Sequence, residues 1–458
     1  WNGMHTNLSK YTCRFSDWSW PENASTFPSV EEMHDYLESY SDSFLTASPA
    51  CSFQLECKVI NVEQLESPST ERDAHNYKVE WTDLNTKTTH SRDFGGVVVA
   101  TGFFRTPRWP SFLKKHVGNE NKSDNTSNNK PQLMHSSEYR THHAFKDKSV
   151  AVIGSSFSAL EIAADISRSA GRVVSVVPSI PWILPRWVPT LQPMQTNTEE
   201  NTDEDSTTMT VLPVDLALYQ RTQAYPKISE TISLTPESCR ERHQHLQALV
   251  GHKQRQSPLG EPTNWEEPPF VAISDEYLDL VREGKIEVVH GRLVGVDEDD
   301  GTLQIGDTQT TASSDNAPAH ATVLNDIDHV ICCTGYSPQL HDFLSSRILS
   351  ATDYSPDDSF CPMTLAWDTL HPSLPGLAFC GMYRGPYMGI MELQARLAAG
   401  VMSGNISLDK EQIQSALKNS ELVRHSTPRA QFPHFDYPGF MDTLSQLCYE
   451  QRDPLKYN

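Results

Sequence analysis

Ser149-Val150-Ala151-Val152-Ile153-Gly154-Ser155-Ser156-Phe157-Ser158-Ala159-Leu160-Glu161-Ile162-Ala163-Ala164-Asp165-Ile166 is the stretch that decides the fold. Its opening is an apolar, β-branched run of strand length. From Ala159 the apolar residues recur at helical spacing. A second apolar run, Arg172 to Val177, follows directly, so the stretch reads as strand, helix, strand, the start of a βαβ unit. At the strand-to-helix junction Gly154, Ser156 and Ala159 occupy the three fixed positions of a dinucleotide-binding Gly-x-Gly-x-x-Gly turn. Gly154 permits the tight turn and Ala159 permits close helix packing. Ser156 stands where the second glycine lets a pyrophosphate approach the backbone. The helix start at Ser155, Ser156 and Ser158 offers backbone N–H groups and a positive dipole end to a phosphate. Taken alone, the motif also fits an ordinary strand-to-helix turn.

Two further apolar runs, one on each side, end alike. Gly96-Val97-Val98-Val99-Ala100-Thr101-Gly102 precedes the βαβ unit and Val330-Ile331-Cys332-Cys333-Thr334-Gly335-Tyr336 follows it. The order predicts an α/β protein with two dinucleotide-binding, Rossmann-like domains, one inserted in the other. Residues 147–326 would form the inner domain, and residues 1–146 and 327–458 the outer one. Three polar stretches, 116–131, 195–208 and 306–322, read as solvated loops. The second carries the acidic run Glu199-Glu200-Asn201-Thr202-Asp203-Glu204-Asp205, a candidate partner surface.

The residues after the second strand choose between nicotinamide cofactors. NAD sites place Asp or Glu about 20 residues past the glycine turn, on the ribose 2′-hydroxyl. Here that place reads Val176-Val177-Pro178-Ser179, with no carboxylate, and Arg186 follows. An Arg there can pair with a 2′-phosphate. The pattern favours NADPH.

Composition narrows the rest. The 458 residues carry 37 Lys plus Arg against 59 Asp plus Glu, a formal net charge of -22. Such a chain repels phosphate backbones and anionic lipid surfaces, so nucleic acid is not an expected partner. No apolar run approaches the roughly 20 residues of a membrane span. The nine cysteines lack framework spacing, and adjacent Cys332 and Cys333 in an apolar run suit a reduced, buried pair. Composition alone suggests a cytoplasmic location, because a targeting signal would lie upstream of residue 1.

The chain opens Trp1-Asn2-Gly3-Met4-His5-Thr6-Asn7-Leu8-Ser9-Lys10 and continues into Phe15-Ser16-Asp17-Trp18-Ser19-Trp20-Pro21. This resembles the segment of flavin-containing monooxygenases in which a Thr-Asn pair sits over the reactive edge of the flavin. Ala100-Thr101-Gly102 matches that family's linker signature, with Pro107 and Pro110 following. His135-Ser136 and Tyr139-Arg140 match its His-Ser-x-x-Tyr-Arg segment, although Asn129 and Pro131 stand where the Baeyer–Villiger branch has Phe-x-Gly. A hinge role suits His135 better than proton transfer. Leu377-Ala378-Phe379-Cys380-Gly381 and Met391-Glu392-Leu393-Gln394-Ala395-Arg396 match a strand and a helix start that approach FAD.

The resemblance implies cofactor-binding roles for Thr6, Asn7, Thr101, Gly102, Ser136, Gly154, Ser155, Ser156, Ser158, Ala159, Arg186, Thr334, Gly335, Gly381 and Gln394. Asn7 is the implied catalytic residue, its amide shielding the oxygenated flavin. The implied cofactors are FAD and NADPH and the co-substrate is O₂. NADPH reduces FAD, O₂ adds at flavin C4a, and the hydroperoxide passes oxygen to a nitrogen or sulfur of a small molecule. No metal is implied. Baeyer–Villiger and N-hydroxylating monooxygenases share this architecture. A disulfide oxidoreductase is disfavoured because no Cys-x-x-Cys precedes the Gly154 motif. The family's first glycine-rich turn is expected upstream of residue 1. If residue 1 is the true start, a non-catalytic remnant or binding module is expected, and residues 1–458 alone are expected to hold FAD substoichiometrically.

Overall fold

The computed structural model describes residues 3–46, 48–65, 76–113, 130–193, 207–218, 235–297, 299–307, 322–385, 387–426, 428–431 and 437–449. Most of the three polar stretches, including the acidic run, lies outside these residues. The chain divides into two compact units. The first comprises Trp1–Ser9, Pro107–Leu218 and Thr235–Gly335; the second comprises Lys10–Thr106, Tyr219–Leu234 and Tyr336–Asn458.

The first unit is built on a five-stranded sheet. In spatial order its strands are Glu287–His290, Arg172–Val177, Ser149–Ile153, His329–Cys332 and Gln132–His135, all parallel. Thus one strand comes from before residue 147 and one from after residue 326. Parallel strands covered on both faces read as continuous apolar runs, which is why the sequence marks them so clearly. Alternate residues face opposite layers. Val150 and Val152 join a core with Leu160, Ala163 and Ile166 of the helix Phe157–Ile166. Ala151 and Ile153 join a second core with Leu293, Leu303 and Ile305. These belong to a three-stranded antiparallel sheet of Arg292–Val296, Leu303–Gly306 and Thr322–Leu324.

The helix starts at Phe157, two residues before the apolar periodicity does, because Ser156 is its N-cap in extended backbone. Ala159 and Ala163 are fully buried, and their small side chains let it lie close on the sheet.

In the second unit, Val97–Val99 and Leu377–Phe379 pair in parallel, and Cys57–Gln64, Tyr77–Asp83 and Thr89–Phe94 form an antiparallel sheet. Val62, Tyr77, Val99, Leu377 and Phe379 share one core. The helices Tyr387–Met402 and Tyr437–Cys448 bury Ile390, Leu393 and Leu397 against Phe440 and Leu444. The helix carrying Gln394 therefore starts four residues before Met391, which leaves Gln394 in its second turn. Among the described residues no helix is long and apolar enough to cross a membrane.

Candidate functional site

In the first unit the strands Ser149–Ile153 and His329–Cys332 are adjacent and parallel, so both end at the same edge of the sheet. Open parallel sheets bind ligands outside the carboxyl ends of their strands. Gly154 follows the first strand with φ +130, a conformation that L side chains rarely adopt. A Cβ there would lie 2.8 Å from the Cys333 carbonyl oxygen and 3.5 Å from Ala159 Cβ. The glycine is thus required by the approach of the two strand ends and by the helix seated behind it. Ser156 has φ -98 and ψ -177 and makes no side-chain capping hydrogen bond, so its hydroxyl does not occupy the helix N-terminus. Ser156 and Ser158 are exposed and Ala159 is buried, as a phosphate-facing turn requires.

Facing this turn, Thr334 donates its hydroxyl to the Arg108 carbonyl, and the Gly335 carbonyl accepts the Arg108 N–H at 2.9 Å. The same Gly335 carbonyl lies 3.1 Å from His135 Nε2, while His135 Nδ1 accepts the Ser137 N–H at 3.2 Å. These partners make Nε2 the protonated nitrogen. Burial holds the His135 imidazole below its usual value, so it is a neutral strut between the ends of two strands. Ser136, beside it, works against the upward shift of the Cys333 thiol. That thiol is nevertheless driven well up by burial and by neighbouring Cys332. Burial also pushes Cys332 up to about 12, so neither sulfur is a thiolate nucleophile. The structure therefore places Ser136, Gly154, Ser155, Ser156, Thr334 and Gly335 together, just beyond the carboxyl ends of three adjacent parallel strands.

Arg186 lies one layer back. Its guanidinium bonds Glu161 of the Phe157–Ile166 helix at 3.0 Å and Asp275 at 3.1 Å, and the side chain is only 15% exposed. Burial raises Glu161 above its usual range, with Arg186 working against that shift. Reaching a 2′-phosphate would mean exchanging a carboxylate for it, and the half-exposed Asp275 is the partner more easily released.

The Thr6–Asn7 pair belongs to the same unit. Both residues are half-buried, and the Thr6 hydroxyl oxygen is buried with no hydrogen-bond partner among the described residues. Leu8 packs on the core that includes Leu160, and Ser9 is fully buried. Ser9 donates its N–H to Asp215 Oδ1 at 3.1 Å and its hydroxyl to Oδ2 at 2.7 Å. Sequence reasoning missed Asp215. It lies 206 residues from Ser9, and nothing local marks it.

In the second unit, Thr101 and Gly102 follow the strand Val97–Val99, and Gly381 follows its parallel neighbour Leu377–Phe379. Gly381 has φ +78, and its N–H donates to the buried Gln394 Oε1 at 3.0 Å. The Gln394 amide nitrogen donates to the Asp368 carbonyl at 3.2 Å. Gln394 thus holds the Gly381 turn in place. Its role follows from its place in the second turn of the helix. Two other contacts escaped the sequence: Ser16 donates its N–H and hydroxyl to Glu392 at 2.7 and 2.5 Å, and Arg396 pairs with Asp17 at 3.1 Å.

Residues 1–213 match a family described as flavin-binding monooxygenase-like. N-oxide-forming dimethylaniline monooxygenase 4 of Mus musculus is 28% identical over 194 residues, which is 41% of this chain and 31% of the mouse protein. The chain thus spans about a third of that relative. A decarboxylating 4-hydroxybenzoate brominase of Marinomonas mediterranea is 25% identical over 455 residues, covering 97% of this chain and 74% of its own length. Among solved structures, S-allyl-L-cysteine S-oxygenase of Allium sativum superposes with a TM-score of 0.57. That match has 18% identity and covers 100% of this chain and 76% of that one, a likeness of fold.

Proposed function

We propose that this chain belongs to the flavin-containing monooxygenase family, binds FAD and NADPH and uses O₂ to oxygenate a nucleophilic nitrogen or sulfur of a small molecule. The observation that carries this reading is the turn at the end of the strand Ser149–Ile153, where Gly154, Ser155 and Ser156 lead into a helix N-terminus that the Ser156 side chain leaves uncapped. That arrangement fits a dinucleotide pyrophosphate. Ser158 and Ala159 continue the turn, and Ser136, Thr334 and Gly335 form its far wall. The missing acid after Val177 favours NADPH. The residues 147–326 are assigned to the NADPH domain, and 1–146 with 327–458 to the FAD domain. There Thr101, Gly102, Gly381 and Gln394 fit the flavin side.

When bound, FAD reduced by NADPH supplies the activation of O₂ and the oxygen atom that is transferred. The protein's residues hold both cofactors, exclude water and place one amide. Asn7, which can both donate and accept, suits the flavin edge, and the unpartnered Thr6 hydroxyl beside it suits a second ligand contact. The requirement for a soft nucleophile is supported by the names of two relatives, one forming N-oxides and one oxygenating sulfur.

The test is NADPH oxidation by the purified protein in the presence of a thioether, a tertiary amine and a cyclic ketone, with oxygenated product and hydrogen peroxide both measured. Oxygenation of thioether or amine is expected. Asn7→Leu should leave NADPH oxidation nearly intact and divert it to hydrogen peroxide. Oxygenation of the ketone alone, or an Asn7→Leu protein as well coupled as the parent, refutes the assignment.

A further inference from the structure

Asn7 makes no hydrogen bond of its own among the described residues, so its position is inherited from its neighbours. Leu8 is partly buried and packs against the core, and Ser9 is held by two bonds to one carboxylate, that of Asp215. Ser9 and Asp215 are both fully buried, which strengthens a charge-assisted bond and removes competing water. Because the two donors are the main-chain N–H and the side-chain hydroxyl of the same residue, the pair fixes orientation as well as distance. Asn7 lies two residues upstream, within about 7 Å of backbone.

Asp215 is itself tied to the nucleotide helix. The Val214 N–H donates to the Arg186 carbonyl at 2.8 Å, and the Arg186 guanidinium bonds Glu161 of the helix Phe157–Ile166. A continuous set of bonds therefore runs from the helix behind the Gly154 turn, through Arg186 and Asp215, to Ser9.

We infer that Asp215 is a positioning residue for Asn7, clamping the Thr6–Asn7 segment through Ser9 so that the Asn7 amide keeps one place relative to the nucleotide helix. This rests on the role proposed for Asn7. Asp215 touches no reacting atom. Its loss releases the segment, and the consequence is wasted oxidation of NADPH rather than loss of flavin reduction.

The experiment compares the parent protein with Asp215→Ala, Asp215→Glu, Ser9→Ala and Asn7→Leu. One readout is amide hydrogen exchange over residues 3–9, with residues 159–166 as the core reference. The other is hydrogen peroxide formed per NADPH oxidised. Asp215→Ala should speed exchange over residues 3–9 about tenfold or more, the scale of one hydrogen bond to a charged group. Exchange over 159–166 should stay unchanged and the peroxide yield should rise towards that of Asn7→Leu. Ser9→Ala should give a smaller effect in the same direction, and Asp215→Glu should recover part of the coupling. If Asp215→Ala loses protection everywhere, Ser9→Ala, which removes one of the two bonds, decides the question by the same readouts. Unchanged exchange over residues 3–9 overturns the inference whatever the peroxide yield. Unchanged coupling in a protein whose Asn7→Leu variant is uncoupled also overturns it. If Asn7→Leu is itself fully coupled, the reading of Asn7 fails, and exchange alone then judges the clamp.

Discussion

Replacing Gly154 by Ala adds one methyl group at the point where the two strand ends meet. Two separate penalties follow. The first is backbone strain: φ +130 lies outside the regions open to L residues, and such conformations cost on the order of 1–3 kcal/mol. The second is collision. The new Cβ would stand 2.8 Å from the Cys333 carbonyl oxygen, a main-chain atom that cannot rotate away. Overpacking of this kind costs about 1–3 kcal/mol. The sum is roughly 2–6 kcal/mol. Gly284 provides the control. It also has a positive φ, +72, but a Cβ there meets nothing within 4 Å, so Gly284→Ala should carry strain alone, about 1–2 kcal/mol. Urea unfolding followed by far-ultraviolet circular dichroism measures both. The Gly154 variant should also raise the KM for NADPH, because relief of the clash moves Ser155 and Ser156, whereas Gly284→Ala should leave that KM alone. Equal destabilisation by the two substitutions, or an unchanged KM in Gly154→Ala, would show that the close approach of Gly154 and Cys333 does not shape the nucleotide turn.

Arg186→Ala leaves the partly buried Glu161 without its cation, so we expect about 1–3 kcal/mol of destabilisation in the same unfolding assay, together with weaker NADPH binding. The parent protein should prefer NADPH to NADH; equal use of the two in steady-state oxidation would dispose of that preference. His135 has a folded-state pKa held below its unfolded value of about 6.5. The unfolded chain therefore takes up the proton first, and stability should fall as pH drops below that value. Burial pushes His243, His329 and His371 the same way, so His135→Gln should shrink, not abolish, the difference in urea midpoint between pH 7.5 and pH 5. An unaltered difference in that variant would mean that His135 is not buried in the neutral form.

The local grammar of this chain was legible in its residues. The strands Ser149–Ile153 and Arg172–Val177 and the helix between them follow from side-chain size and period, which act over a few positions. The glycine turn follows from backbone freedom at one residue. Even the missing acid after Val177 is a local fact. Helix starts were less legible: the helix bearing Gln394 begins at Tyr387, so the predicted N-terminus lay a turn too far along. Caps and packing, not periodicity, set such ends.

What only the tertiary structure decided were the partners of charged and polar side chains. Arg186 reads in sequence as a free cation beside a nucleotide turn, yet folding delivers Glu161 and Asp275 to it. Ser9 reads as one polar residue among many, yet a carboxylate 206 residues away receives both of its donors. A buried polar group must find a partner wherever the fold brings one, and sequence distance places no limit on where that is. Periodicity therefore shows where strands and helices run, while the carboxylate that receives the two donors of Ser9 comes from a segment far along the chain that only folding brings to it.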